Sequence, residues 1–122
     1  VAKILVVEDE PLAGLQLQES LAAMGHEVPP VVDSGDAVMA AMITHKPDLV
    51  LMDVQLRSYI DGIDAARRLR LLSATPIIFL TAYPGPASEE RARAVSPEAY
   101  LVKPVEDWLL QESIEQALKK AG

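Results

Sequence analysis

The chain has 122 residues, half of them apolar but only five aromatic (one Trp, three Tyr, one Phe), with no cysteine and with 18 acidic against 11 basic residues for a net charge of −7. That length suits one domain (residues 1–122) with a core of Val, Leu, Ile, Met and Ala, and the acidic balance lacks the footprint of a direct nucleic-acid binder. Thiolate chemistry is excluded by composition, two distant histidines argue against zinc, and no apolar stretch approaches the roughly 18 residues of a membrane span.

The opening stretch, VAKILVVEDE, has no signal-peptide layout, so a cytoplasmic location is expected. Its aliphatic run at 3–7 predicts a strand that ends in Glu8, Asp9 and Glu10. Pro11 suits a first helical turn, Ala13, Leu17, Leu21 and Met24 recur at helical spacing, and Gly25 suits the helix end. VPPVV at 28–32 predicts a second strand. Because Pro29 and Pro30 each remove a ladder donor, it belongs at a sheet edge. Ser34 or Asp36 is placed to cap a second helix carrying Val38, Ala41, Met42 and His45, and Asp61 to cap a third.

Between those helices, LVLMD at 49–53 reads as a strand buried on both faces that stops at a carboxylate, Asp53. PIIFL at 76–80 and AYLV at 99–102 predict two more strands, and Leu110, Ile114, Ala117 and Leu118 mark a last helix. Strands alternating with helices through short connections imply an α/β fold with a five-stranded parallel sheet covered on both faces. Ligands of such sheets bind beyond the carboxyl ends of the strands.

Glu8, Asp9, Asp53, Thr81, Ala82, Lys103 and Pro104 follow the strands on that edge. Three carboxylates crowded together require raised pKa values or a cation, and hard oxygen ligands in small number fit Mg²⁺ (or Mn²⁺), with the Gln55 backbone carbonyl as a further oxygen. The plainer reading is that the acids favour the dipole at the start of the first helix. Asp53 is then either a metal ligand alone or a nucleophile toward phosphorus. In the second role the transferring phosphoryl oxygens need neutralising, which the cation, Lys103, and the Thr81 hydroxyl with the Ala82 amide would provide.

ILVVEDE, PDLVLMDVQL, DGIDAA, PIIFLTAY and YLVKP together resemble the receiver domain of bacterial two-component response regulators over essentially the whole chain, with Thr81 28 positions after Asp53 and Lys103 22 after Thr81. The resemblance implies a flavodoxin-like, doubly wound (βα)₅ fold with strand order 2-1-3-4-5. It implies that Asp53 is the phosphoacceptor, fed by a sensor histidine kinase, a phosphotransfer protein or a small phosphodonor in a Mg²⁺-dependent reaction. Asp9 would then hold the metal directly, Glu8 through water, and the Gln55 carbonyl would complete the set. Lys103 would pair with the phosphoryl group and precede a cis peptide to Pro104. Thr81 would move toward the phosphate and Tyr100 would swing inward with it, altering the face of the fourth helix, fifth strand and fifth helix.

That face serves output and dimerisation in the family, so a downstream protein, a fused output domain or a homodimer is implied. The only chemistry implied is the chain's own phosphorylation and dephosphorylation, not turnover of a free substrate. The rival reading is a phosphorylation-independent interaction module of the same fold. A dehalogenase-type hydrolase needs a second aspartate at the position of Gln55 and is disfavoured.

Some stretches depart from the family pattern. LRSYIDG, after Asp53, is one residue longer than usual and lacks a proline. Within it, Arg57 and Tyr59 either touch a partner or sit in solvent. Ser96-Pro97 replaces the usual Gly-Ala, and Pro84 and Pro86 predict a short fourth helix. Gln55 and Tyr83 flank the site entrance. Trp108 is expected to pack against the core edge or, less simply, to anchor a partner.

Overall fold

A computed structural model describes residues 1–121. The elements in chain order are β1 (Ile4–Val7), α1 (Pro11–Ala23), a 3₁₀ turn (Gly35–Ala37), α2 (Val38–His45), β2 (Leu49–Asp53), α3 (Gly62–Arg70), β3 (Ile77–Thr81), α4 (Pro86–Arg93), β4 (Ala99–Val102) and α5 (Asp107–Ala121). All strand pairs are parallel, in the order β1-β2-β3-β4.

The expected second strand at 28–32 does not form. This corrects the five-stranded count: among the described residues the sheet has four strands, which stand in the 1-3-4-5 part of the expected order. The segment still lies along the free edge of β1, but only its two ends pair. Glu27 exchanges hydrogen bonds with Ile4 and Ala2, and Val32 with Glu8 and Val6. Pro29 and Pro30, between those ends, have no N–H to donate, so the ladder is interrupted where a strand would need it.

Strand parity divides the core. Leu5, Val7, Val50, Met52, Ile77 and Phe79 face α2, α3 and α4, while Ile4, Val6, Leu49, Leu51, Ile78 and Leu80 face α1 and α5. Strands covered on both faces are why these runs are continuously apolar rather than alternating. Phe79 is among the largest wholly buried side chains, and the other large ones on the strands are Ile, Leu and Met.

Helix ends follow their chemistry. Asp61 and Asp64 form a reciprocal capping box at the start of α3, Ser34 caps the 3₁₀ turn rather than α2, and Gly25 takes φ +92 after α1. The fourth helix is short, eight residues, and Ser96 after it takes φ +51, a conformation that glycine adopts more readily. Trp108 is 64% exposed, so the expected packing against the core edge is not formed. No helix among the described residues is long and apolar enough to cross a membrane.

The backbone of α3 presses on the end of β2. The Gly62 N–H donates to the Val54 carbonyl at 3.0 Å, and a Cβ on Gly62 would overlap the Asp53 carbonyl oxygen. Gly62→Ala should therefore lower unfolding stability by about 3 kcal/mol in urea titrations, as overpacking against a fixed backbone does. Gly85→Ala, where nothing lies within 4 Å, should stay within about 0.5 kcal/mol of the parent.

Candidate functional site

Parallel strands of matched register bring their carboxyl ends to one edge. Val7 is level with Met52, Asp53 with Leu80, and Thr81 with Val102, so Glu8, Asp53, Thr81 and Lys103 emerge together from four strands. Glu8, Asp53 and Thr81 are buried.

At the centre is an ammonium shared by two carboxylates. Lys103 Nζ donates to Glu8 Oε1 at 2.7 Å and to Asp53 Oδ2 at 3.0 Å. The other oxygens are satisfied by main chain, Glu8 Oε2 by the Glu10 N–H at 3.1 Å and Asp53 Oδ1 by the Gln55 N–H at 3.0 Å. The peptide between Lys103 and Pro104 is cis.

Burial pushes the Asp53 carboxyl up to about 6. The neighbouring Glu8 carboxylate adds to that, and the Lys103 bond pulls the other way. For Lys103, burial alone would lower the pKa, but the bonds to Glu8 and Asp53 outweigh it and the net shift is upward.

Asp9 completes an acidic cluster in which one oxygen each from Glu8, Asp9 and Asp53 lie within 4.8 Å of one another. The structure thereby disfavours simple helix capping, since Glu10, the residue at the cap of α1, makes no side-chain cap bond and Glu8 is turned to Lys103. Asp9 Oδ2 accepts from the Arg57 backbone N–H at 2.7 Å and from Arg57 Nε at 3.3 Å, and Arg57 Nη2 reaches Glu10 at 3.3 Å. Four carboxylates, Glu8, Asp9, Glu10 and Asp53, thus share two cations, with two negative charges left over when all are ionised and Asp53 reluctant to ionise. Hard oxygens in that balance fit Mg²⁺ or Mn²⁺.

Thr81 and Ala82 face the same loop from the other side. Gln55 Oε1 accepts from Thr81 Oγ1 at 2.9 Å and from the Ala82 N–H at 3.2 Å, while Thr81 Oγ1 accepts from the Tyr83 N–H at 3.1 Å. Tyr83, expected at the entrance, is exposed. Half-buried Tyr100 packs on the core face shared with α4, and its hydroxyl lies 3.2 Å from Ser88 Oγ of that helix. The loop after Asp53 is pinned by Ser58, whose hydroxyl accepts from the Gly35 N–H and donates to the Ile60 carbonyl.

A family model described as response regulator receiver domain matches residues 4–115. The chain belongs to the response regulator receiver domain family. The transcriptional regulatory protein PdtaR of Mycobacterium tuberculosis is 40% identical over 120 residues, covering 97% of this chain and 57% of PdtaR. The phyllosphere-induced regulator PhyR of Methylorubrum extorquens is 36% identical over 119 residues, 95% of this chain and 43% of PhyR. This receiver domain therefore spans about half the length of such relatives.

Among solved structures, the signal receiver domain of a modulated diguanylate cyclase from Desulfovibrio desulfuricans superposes with a TM-score of 0.92 at 36% identity, covering 98% of this chain and 95% of that one. The beryllofluoride-activated receiver domain of Klebsiella pneumoniae RstA gives 0.88 at 28% identity, with 95% and 97% covered. These likenesses establish the flavodoxin-like receiver fold even though the edge segment at 28–32 is not a strand here.

The structure brings together Glu8, Asp9, Asp53, Lys103, Thr81, Ala82 and Gln55, the residues singled out from sequence. Two contacts of the receiver domain were not anticipated: the Arg57 pairing with Asp9, and the side-chain amide of Gln55 on Thr81. The excess of acid over Lys103 was a signal for the first, because a further cation was needed near the cluster.

Titration of Asp53 supplies a test. Its folded value of about 6 lies above the unfolded 3.8, so the folded chain holds the proton more tightly and stability is lost as pH rises from about 4 through 6. In chelating buffer, urea unfolding of the parent should lose up to about 3 kcal/mol across that window relative to Asp53→Asn. Parallel pH profiles would contradict the assignment.

Proposed function

We propose that this receiver domain is a phosphorylation-driven switch in which Asp53 accepts a phosphoryl group from the phosphohistidine of a sensor histidine kinase or phosphotransfer protein, or from a small phosphodonor. The observation that carries the reading is the shared ammonium: a buried carboxylate at a strand end, hydrogen bonded to Lys103, inside an acidic cluster and beside a hydroxyl and an amide donor.

In the step itself an ionised Asp53 oxygen attacks phosphorus, the P–N bond of the donor breaks, and the histidine nitrogen keeps the electron pair and takes a proton. The product is a mixed carboxylic-phosphoric anhydride. Lys103 lowers the energy of the anionic carboxylate against the burial that raises it, and its charge stays beside the oxygens of the incoming group. Glu8, Asp9 and Asp53, with the Gln55 backbone carbonyl, would hold Mg²⁺ or Mn²⁺, which when bound neutralises the carboxylates and takes a phosphoryl oxygen. Water attack on the anhydride resets the chain, so its chemistry is directed at itself.

Phosphorylation replaces the single charge of the Asp53 carboxylate with a phosphoryl group carrying nearly two negative charges beside Lys103. Thr81, at the end of β3, and Tyr100, on β4, are the residues placed to respond, and the Tyr100 hydroxyl already contacts α4 through Ser88. The reading assigns the face of α4, β4 and α5 to a downstream protein, a fused output domain or a second copy, as a two-state element biased by the new charge. It also places the domain in the cytoplasm.

Incubation with acetyl phosphate and Mg²⁺ should add one phosphoryl group by intact mass. The adduct should be absent in chelator and in Asp53→Asn, and strongly reduced in Lys103→Met. An adduct that persists in Asp53→Asn would overturn the reading, and no adduct in the parent with any donor would favour a phosphorylation-independent interaction module.

A further inference from the structure

The side chain of Gln55 has no place in the phosphoacceptor reading, yet it occupies the two donors that reading reserves for a phosphoryl oxygen. The Ala82 backbone N–H can only donate, so the Gln55 atom 3.2 Å from it is the amide oxygen, which fixes the orientation of the amide. The same oxygen takes the single proton of the Thr81 hydroxyl at 2.9 Å, and the Thr81 oxygen is meanwhile an acceptor for the Tyr83 N–H. Thr81 is wholly buried and has no second proton to offer.

Gln55 is also tied to the acceptor. Its own N–H donates to Asp53 Oδ1 at 3.0 Å. One residue, two positions after Asp53, thus joins the carboxylate through its main chain and the Thr81 hydroxyl through its side chain.

Resting on the phosphoacceptor reading, we propose that Gln55 is a resting-state latch: its amide oxygen stands in the place of a phosphoryl oxygen on Thr81 and Ala82, and must leave before those donors can engage phosphate. Gln55 is a positioning residue in this scheme. It holds Thr81 in the unphosphorylated arrangement, so the resting state is stabilised by the bonds that phosphorylation must replace. Removing the acceptor leaves a buried hydroxyl unsatisfied at rest and shifts the equilibrium toward the phosphoryl-bound state.

Titration calorimetry with Mg²⁺ and beryllofluoride, which stands in for the phosphoryl group, tests this on the parent, Gln55→Met (similar volume, no amide acceptor) and Gln55→Ala. Binding should tighten about five-fold in the variants, the net worth of one hydrogen bond. Before any ligand is added, the Ala82 amide proton should move upfield in both variants as its bond to Gln55 is lost. Unchanged or weaker binding in both variants, or an Ala82 resonance that does not move, overturns the latch and leaves the phosphoacceptor reading intact. A parent that binds no beryllofluoride overturns that reading and the latch with it.

Discussion

The Lys103 ammonium, shared between Glu8 and Asp53, is the contact on which the site depends. It joins residues 95 and 50 positions apart in the chain and draws the ends of β1 and β2 to the segment after β4. Without it, two buried carboxylates would face each other in a setting that disfavours their charged forms. With it, Asp53 stays reluctant to ionise but within reach of ionisation near neutral pH. The aliphatic strands, covered by helices on both faces, hold the three groups in register.

Around that contact the remaining polar groups fall on two sides. On one side Asp9 and Arg57 balance the acidic cluster, but Arg57 is largely exposed, so its guanidinium is screened and easily exchanged for a bound cation. On the other side Gln55, Thr81 and Ala82 form a neutral hydrogen-bonded ring that keeps the donors satisfied at rest. Beyond it, Tyr100 and Ser88 connect β4 to α4, and Arg91 of α4 pairs with the capping carboxylates of α3 at 3.0 and 3.2 Å. These contacts tie α4, whose buried residue is Ala92, to β4 and to the start of α3.

Much of this was legible from residue order because parallel strands put whatever follows each apolar run at one edge. Asp53 after LVLM, Glu8 after ILVV and Lys103 after AYLV need only the strand assignments to be brought together. The edge segment misled because an apolar run with two prolines satisfies the composition of a strand while lacking the donors for its ladder. The Arg57–Asp9 and Gln55–Thr81 contacts were hidden for another reason: both are made by the irregular loop after Asp53, whose path is set by Ser58, Gly35 and Gly62 rather than by any periodic pattern. Trp108 looked like a core residue by type, yet its position near the start of α5 leaves it in solvent.

The central claim is that Asp53, of all the carboxylates in the cluster, forms the anhydride. Reduction of the phosphorylated chain with borohydride converts an aspartyl phosphate to homoserine, and peptide sequencing by mass spectrometry then locates it. The account predicts homoserine at position 53 and nowhere else. Modification at Asp9 or another position, with Asp53 intact, would contradict it.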